Sequence, residues 1–494
     1  MLSKSKFVGG WQCEKQAYLT ANFPKLATPY DRATLARFAG GTRFGELARD
    51  LWPDGVLINS PAFRHDASVE WTLDLIAGDA VDTIFEAGFT AIGVRVRADV
   101  MIRNRETEKW DLVEVKSAFS PKEVYDIDMA IQRAVLEASG IAVGTTGVML
   151  VNGDYVRDET GIKPEGLFKI VDRTKEVSDL LPEVKKLNSH LQKVVASDDV
   201  PGIEVGLHCE RPYTCQFFAH CTVDRPRDWI RYLPGFGAKK VADFEARGVV
   251  GVKDIPDDER LNKMQQRAVL SINEARPWVS DQLRENLTKV GYPVRFIDFE
   301  TARPMVPIYT NMSPQELIPF QWSCHTLSAG NNLEHSDYLA AGDVDPRREF
   351  VESLLRELGT DEGLIFVYST YEQSTLRTMA SKFADLAPAI QKLIDRFVDL
   401  LAVVKQNYYH PEFKGSFSIK NVLPVMVPGY NYSDLAIGEG ETASATYVDI
   451  VEGRLVEDEI DDALVNLLEY CKRDTEAMVR IWQRLEEISR NRES

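Results

Sequence analysis

Three groups of residues in this 494-residue chain have types and spacings that could do chemistry. In the first, Asp99 closes the alternating run VRVRADV, and Glu114 and Lys116 lie two apart in DLVEVKS. Side chains two apart on a strand point to one face. The polar stretch between the runs, NRETEKWD, reads as a hairpin connection. Asp99 is then expected beside the Glu114–Lys116 pair on an adjacent strand. Two carboxylates there could hold Mg²⁺ or Mn²⁺. The lysine could orient a water or stabilise charge on a phosphate under attack. The same alternation also fits a half-solvated strand with no catalytic role.

The second group lies far downstream. VRFIDFETA reads as a strand that places Asp298 and Glu300 on one face. LIFVYSTYEQSTLRTMA reads as strand, turn and helix, with Glu372 just after the turn. Asp399 in RFVDLLAVV is a reserve carboxylate. In YCKRD, Tyr470 and Asp474 are four apart and meet on one helix face. Cys471, between them in sequence, is expected to point away. The plain alternative is a tyrosine packed on a sheet and an aspartate in solvent.

The third group is sulfur. Cys209, Cys215 and Cys221 form C-x5-C-x5-C. This is neither the C-x2-C pairing of zinc ribbons nor a ferredoxin run. A site built on it needs a fourth ligand, for which Cys13 is the candidate. His208 or His220 could substitute if the metal is zinc, and buried unligated thiols are the plain reading. Cys324 and Trp322 read as packing residues. A smaller signal is LPGFGAKK, where Gly235, Gly237, Lys239 and Lys240 could present backbone N–H groups and charge to a nucleic-acid phosphate. It reads equally as a helix start after a glycine turn.

The elements must then position these groups. Hydrophobic residues make up 44% and charged residues 27% of the chain, which excludes a disordered chain. No apolar run reaches the length of a membrane helix. The N-terminus lacks the apolar stretch of a secretion signal, so a cytoplasmic protein is expected. There disulfides are disfavoured. A net charge of −18 argues against a non-specific nucleic-acid coat, although carboxylates gathered around metal ions add to such a charge.

Residues 32–54 read as two helices separated by Gly40–Gly41, residues 68–118 as strands, and 121–141 as a helix from Pro to Gly. Residues 172–200 read as helical, and the last 35 as one acidic helix or two. The expected fold class is α/β and multidomain, with boundaries near 225 and 288.

These motifs together carry a resemblance. Residues 1–225 resemble the RecB-type branch of the PD-(D/E)XK nucleases, which includes CRISPR-associated nucleases. Asp99, Glu114 and Lys116 match its catalytic core, Glu46 in GTRFGELARDLW its upstream acidic residue, and Gln132 its following glutamine. The tyrosine that this branch carries near that glutamine is not obvious in this chain. One early cysteine and three late ones match the members that carry a [4Fe–4S] cluster, implying a structural staple held by Cys13, Cys209, Cys215 and Cys221.

Residues 226–288 resemble a helix–hairpin–helix module. Residues 289–494 resemble a DEDDy-type 3′–5′ exonuclease with an RNase H-like fold. There Asp298, Glu300, Glu372 and Asp474 would surround two Mg²⁺ or Mn²⁺ ions, and Tyr470 would orient the attacking water. Glu372 stands where that pattern has aspartate.

The whole resembles a bacterial family of uncharacterised proteins that fuse the two nuclease types. The resemblance implies a metal-dependent nuclease acting on nucleic acid, DNA rather than RNA. The alternative is a nucleic-acid-binding or scaffold protein of a repair or defence complex with one or both sites degenerate. The chain has no G-x4-G-K-[ST] loop, so a helicase or ATPase partner would be a separate protein.

Overall fold

The structure is a computed structural model. It describes residues 1–494 except 289, 341, 343, 360, 361 and 492–494. The chain divides into two α/β units: Met1–Asp224 with Met305–Gln315, and Arg225–Pro304 with Glu316–Ser494. Among the described residues, no helix is long and apolar enough to cross a membrane.

The first unit is built on a seven-stranded sheet. Its strands are β1 (Leu2–Ser3), β2 (Val56–Leu57), β3 (Thr83–Ala91), β4 (Val94–Asn104), β5 (Lys109–Val115), β6 (Val143–Val151) and β7 (Phe168–Asp172). Their order is β2-β3-β4-β5-β6-β7, with β1 paired to the start of β4. Strand β5 pairs with β4 only at Val100–Asn104, and β1 pairs with it at Val94 and Arg95. The interval between them ends at Asp99. Helix α1 (Lys4–Gln12), α2 (Glu14–Asn22), α3 (Arg32–Ala48), α4 (His65–Ala77) and α5 (Glu123–Ala138) surround this sheet. Residues Val124–Gln132 of α5 are all buried, Asp126, Asp128 and Gln132 among them. Buried polar groups need partners, so α5 must meet complementary charge.

Two elements differ from the sequence reading. Helix α3 runs through Gly40 and Gly41 without a break. Each glycine costs a helix about 1 kcal/mol, and the Asp31 side chain caps this one by accepting from the Thr34 N–H. Residues 65–77 form a helix rather than a strand. Its sheet-facing stripe is His65, Ser68 and Thr72, spaced as a helix requires but not apolar. The Thr72 hydroxyl donates to Ser68 O and accepts from the Gly88 N–H. A polar stripe hides the helical period from any hydrophobicity reading.

The second unit holds a five-stranded sheet and a two-stranded ribbon. Strands β9 (Val294–Ala302), β10 (Ile318–Leu327), β11 (Leu333–Leu339), β12 (Ile365–Val367) and β13 (Phe397–Asp399) lie in the order β11-β10-β9-β12-β13. The pairs β11–β10 and β10–β9 are antiparallel, and β9–β12 and β12–β13 parallel. The ribbon pairs β8 (Trp278–Val279) with β14 (Tyr408–Tyr409). It ties the 226–288 stretch into this unit. The Tyr409 hydroxyl donates to Tyr232 O, and the Arg267 guanidinium donates to Lys405 O. The C-terminal segment is one 35-residue helix, Glu457–Asn491.

Candidate functional site

In the first unit the hub is Glu114, on β5 and only 1% exposed. Its Oε1 accepts from Lys116 Nζ at 2.6 Å and Lys4 Nζ at 3.0 Å. Its Oε2 accepts from Gln132 Nε2 at 2.7 Å and Lys4 Nζ at 3.3 Å. Lys116 also reaches Asp128 Oδ2 at 3.0 Å, and Lys4 stands 3.5 Å from Asp128 Oδ1. Asp99 sits where β4 and β5 diverge, and its Oδ2 accepts from the Val115 N–H at 2.8 Å. Directly opposite it on β3, the pairing skips Glu86, which has φ +58°. A non-glycine residue in that region is strained, by about 1–3 kcal/mol.

Burial opposes the Glu114 charge, but Lys116 and Lys4 more than offset it and hold this carboxyl well below its usual range. Burial, reinforced by the Glu114 charge, pushes Asp99 up to about 7. Asp128 and Glu86 are also raised, chiefly by burial. Lys116 stays protonated because Glu114 and Asp128 outweigh its burial.

The structure therefore brings Asp99, Glu114, Lys116 and Gln132 together. It adds Lys4, Glu86 and Asp128, which sequence reasoning missed or set aside. Glu46 is exposed on α3, with Arg49 its ion-pair partner at 3.8 Å. Tyr125 lies beside the cluster, its ring 5.5 Å from Lys116 Nζ, and Tyr213 also feels the Lys116 and Asp128 charges. Asp126 is held by two hydrogen bonds from Arg173.

The four expected cysteines are free thiols drawn from two stretches of the chain, Cys13 and the run 209–221, and the charges of Cys13, Cys209 and Cys221 all act on Cys215. The Cys215 N–H donates to Cys209 O at 2.9 Å. Gln12, next to Cys13, donates to His208 O and Tyr213 O, which ties the end of α1 to the cysteine loop. Burial pushes the Cys215 thiol up to about 11 and raises Cys13 and Cys221. Thiols are soft donors of the kind zinc and iron take, but among the described residues no three of these four bring their sulfur atoms within 4.8 Å of one another.

In the second unit Asp298 and Glu300 project from β9, Glu372 from the first turn of helix Tyr371–Lys382, and Tyr470 and Asp474 from helix Glu457–Asn491. The rotation of that last helix is fixed behind the site, where the Thr475 hydroxyl bonds to Ser323 at 2.9 Å and His325 at 2.8 Å on β10. Asp298, Glu300 and Cys471 bring donor atoms within 4.8 Å of one another. Cys471 thus points into the site, not away from it. Its Sγ lies 3.7 Å from Asp298 Oδ2, because one helical turn against β9 carries Tyr470, Cys471 and Asp474 together. The Tyr432 hydroxyl donates to Asp474 Oδ1 at 2.6 Å.

Among the described residues, none of the four carboxylates has an ion-pair partner. The nearby cation is Lys420, whose ammonium lies 5.8 Å from the ring centres of Tyr432 and Tyr470. Burial and the neighbouring carboxylates drive Asp298 and Glu300 well above their usual range. Burial pushes Glu372 up to about 7 and Asp474 up to about 6, the latter restrained by hydrogen bonds from Tyr432 and Tyr470. Burial also raises Tyr470 and Tyr432, which stay protonated. Asp399 caps the helix Leu400–Asn407 by accepting from the Ala402 N–H. Three buried carboxylates and the half-buried Asp298, none of them ion-paired, form a hard oxygen donor set that fits Mg²⁺ or Mn²⁺.

Residues 295–418 match a family described as "Domain of unknown function (DUF2779)". The match takes in Asp298, Glu300 and Glu372 and stops short of Lys420, Tyr432, Tyr470 and Asp474. No curated protein matches the chain.

The glycine hairpin lies in the same unit. Gly235 has φ +75°, and both Gly235 and Gly237 face open space. Lys239 and Lys240 are exposed at the start of helix Ala238–Ala246. Phe236 is buried and anchors the turn, with Lys240 Nζ 5.1 Å from its ring.

Proposed function

We propose that this protein is a metal-dependent nuclease that hydrolyses phosphodiester bonds of DNA in preference to RNA, with two candidate active sites. The observation that carries this reading is the set of carboxylates at Asp298, half-buried, and Glu300, Glu372 and Asp474, buried, which lack ion-pair partners and stand beside two protonated tyrosines. Burying like charges is costly unless a cation or protons compensate them. Bound Mg²⁺ or Mn²⁺ would supply activation of water and stabilisation of the leaving oxygen.

The chain's own residues do the rest. Tyr470, a hydroxyl held protonated by burial, orients the attacking water. Tyr432 holds the Asp474 carboxylate in place. Lys420 adds positive charge on the side where a phosphate would enter. Gly235, Gly237, Lys239 and Lys240 form a backbone-phosphate contact.

In the first unit Asp99 and Glu114 are the ion-holding carboxylates of a second, PD-(D/E)XK-like site. Lys116 orients the water there, and Gln132 fixes Glu114. Cys13, Cys209, Cys215 and Cys221 would hold a [4Fe–4S] cluster, in preference to zinc, that staples α1 to the end of the unit. The Lys4 contact to Glu114 supports a second reading, in which the first cluster is degenerate and that unit binds nucleic acid without cutting it.

The test is digestion of end-labelled single- and double-stranded DNA and RNA with Mg²⁺, Mn²⁺ or EDTA. Metal-dependent cleavage is expected, and the Asp298→Ala, Glu114→Ala double variant is expected to abolish it. Undiminished cleavage by that variant would sink the assignment.

A further inference from the structure

Lys4 is placed with unusual firmness for a residue so near a chain end. Leu2 and Ser3 pair in parallel with Val94 and Arg95 of β4, the strand that carries Asp99. Leu2 is 1% exposed. The Ser3 side chain caps α1 by accepting from the Lys6 N–H at 3.2 Å. Lys4 is thus the first residue of a capped helix, and its ammonium bridges both oxygens of Glu114 and faces Asp128 Oδ1.

Each Glu114 oxygen already takes two donors, which fills its lone pairs. A divalent ion bound to Glu114 must displace one of them. Gln132 is fully buried. Lys116 is held by Asp128 as well as Glu114. The two lysines are alike in exposure, 24% and 23%, but Lys4 makes the longer contacts, 3.0 and 3.3 Å to Glu114 and 3.5 Å to Asp128, against 2.6 and 3.0 Å for Lys116, so Lys4 is the donor that gives way.

A second observation points the same way. Asp128 Oδ1 and Gln132 Oε1 are buried without a hydrogen-bond partner. The Oδ1 atom faces Lys4 at 3.5 Å. An ion in place of the ammonium would therefore find a carboxylate oxygen that the lysine leaves underused.

We infer that Lys4 is a built-in competitor of the divalent ion at the first carboxylate cluster, bridging Glu114 and Asp128 where the ion would bind and so setting the metal affinity of that site. The inference rests on the reading of this cluster as an ion-holding site. It makes Lys4 a determinant of metal occupancy rather than a ligand or a group that touches substrate.

The experiment is calorimetric titration of the full chain with Mn²⁺ alone. The Asp298→Ala, Glu300→Ala background removes two ligands of the second cluster. In that background Lys4→Met is expected to bind Mn²⁺ tighter by about tenfold or more, since a unit charge a few ångströms away is removed. Lys4→Arg, which keeps the charge, is expected to bind like the parent. Equal or weaker binding by Lys4→Met would overturn the inference alone. Mn²⁺ binding that is absent from parent and variant alike, or present but unchanged by Glu114→Ala, would overturn the ion-holding reading with it.

Discussion

In the first unit Glu114 is flanked by ammonium groups at 2.6 and 3.0 Å, and its carboxyl falls well below the ordinary range. In the second, Asp298 and Glu300 meet only other carboxylates, a thiol and a distant lysine, and rise well above it. Both clusters sit where β-strands deliver alternate residues to one face, and both are buried. The difference is the source of the compensating charge. The first cluster carries it in Lys4 and Lys116 and is assembled before any ion arrives. The second leaves it to come from outside, as protons or as metal. Carboxylates of one type therefore rest against ammonium groups in one place and mainly against one another in the other.

The sharpest way to break this comparison is to remove one carboxylate from each cluster in metal-free protein. Glu114→Ala strands Lys4, Lys116 and Gln132 in a buried site and is expected to destabilise the first unit by about 3–5 kcal/mol. Asp298→Asn removes a carboxyl whose ionisation burial and its neighbours oppose and is expected to stabilise the second unit without metal at alkaline pH. Denaturant unfolding in EDTA measures both. Shifts of the same sign would erase the distinction.

A titration of stability sharpens the comparison further. Glu372 and Asp474 have folded values of about 7 and about 6, above the values of about 4 expected when unfolded. The folded state then holds their protons more tightly. These groups favour folding most below about pH 4, and that contribution is lost as pH rises through 6 and 7. Glu114 has the opposite sign: its contribution is present above about pH 4 and lost only in strong acid. Thermal melts of metal-free protein from pH 5 to 8 are expected to show the second unit weakening as pH rises. Mn²⁺ should reverse that loss, most strongly at pH 8. A second unit that strengthens with pH in EDTA would contradict the account.

The smallest expected effect falls on Tyr470. Tyr470→Phe keeps the ring and loses the hydroxyl that orients water. It is expected to lower the cleavage rate by about ten- to a hundredfold while leaving Mn²⁺ affinity unchanged, as rate assays beside calorimetry would show. A parallel loss of affinity would make Tyr470 a support for the metal site instead.

The strands that carry Asp99, Glu114 and Asp298 were legible because period-two alternation is a local signal. So was the helix face shared by Tyr470 and Asp474. What escaped depends on distant pairings. Lys4 reaches Glu114 because two residues at the chain start pair with β4, 92 positions on by register. Glu86 enters through a left-handed residue inside a strand, which no propensity marks. Asp128 enters because Val124–Gln132 of α5 is buried on every face, which no helical period marks. Cys471 was assigned away from the site from neighbour spacing alone. The helix, packed along β9 and β10, presents a wider face than one residue in four.

The central claim is that the second cluster is completed by a divalent ion. Anomalous diffraction from crystals of the full chain soaked in Mn²⁺ tests it most directly. The account predicts a peak bounded by Asp298, Glu300 and Asp474 that disappears in Asp298→Asn. A Mn²⁺-soaked crystal with no peak among these carboxylates would contradict it.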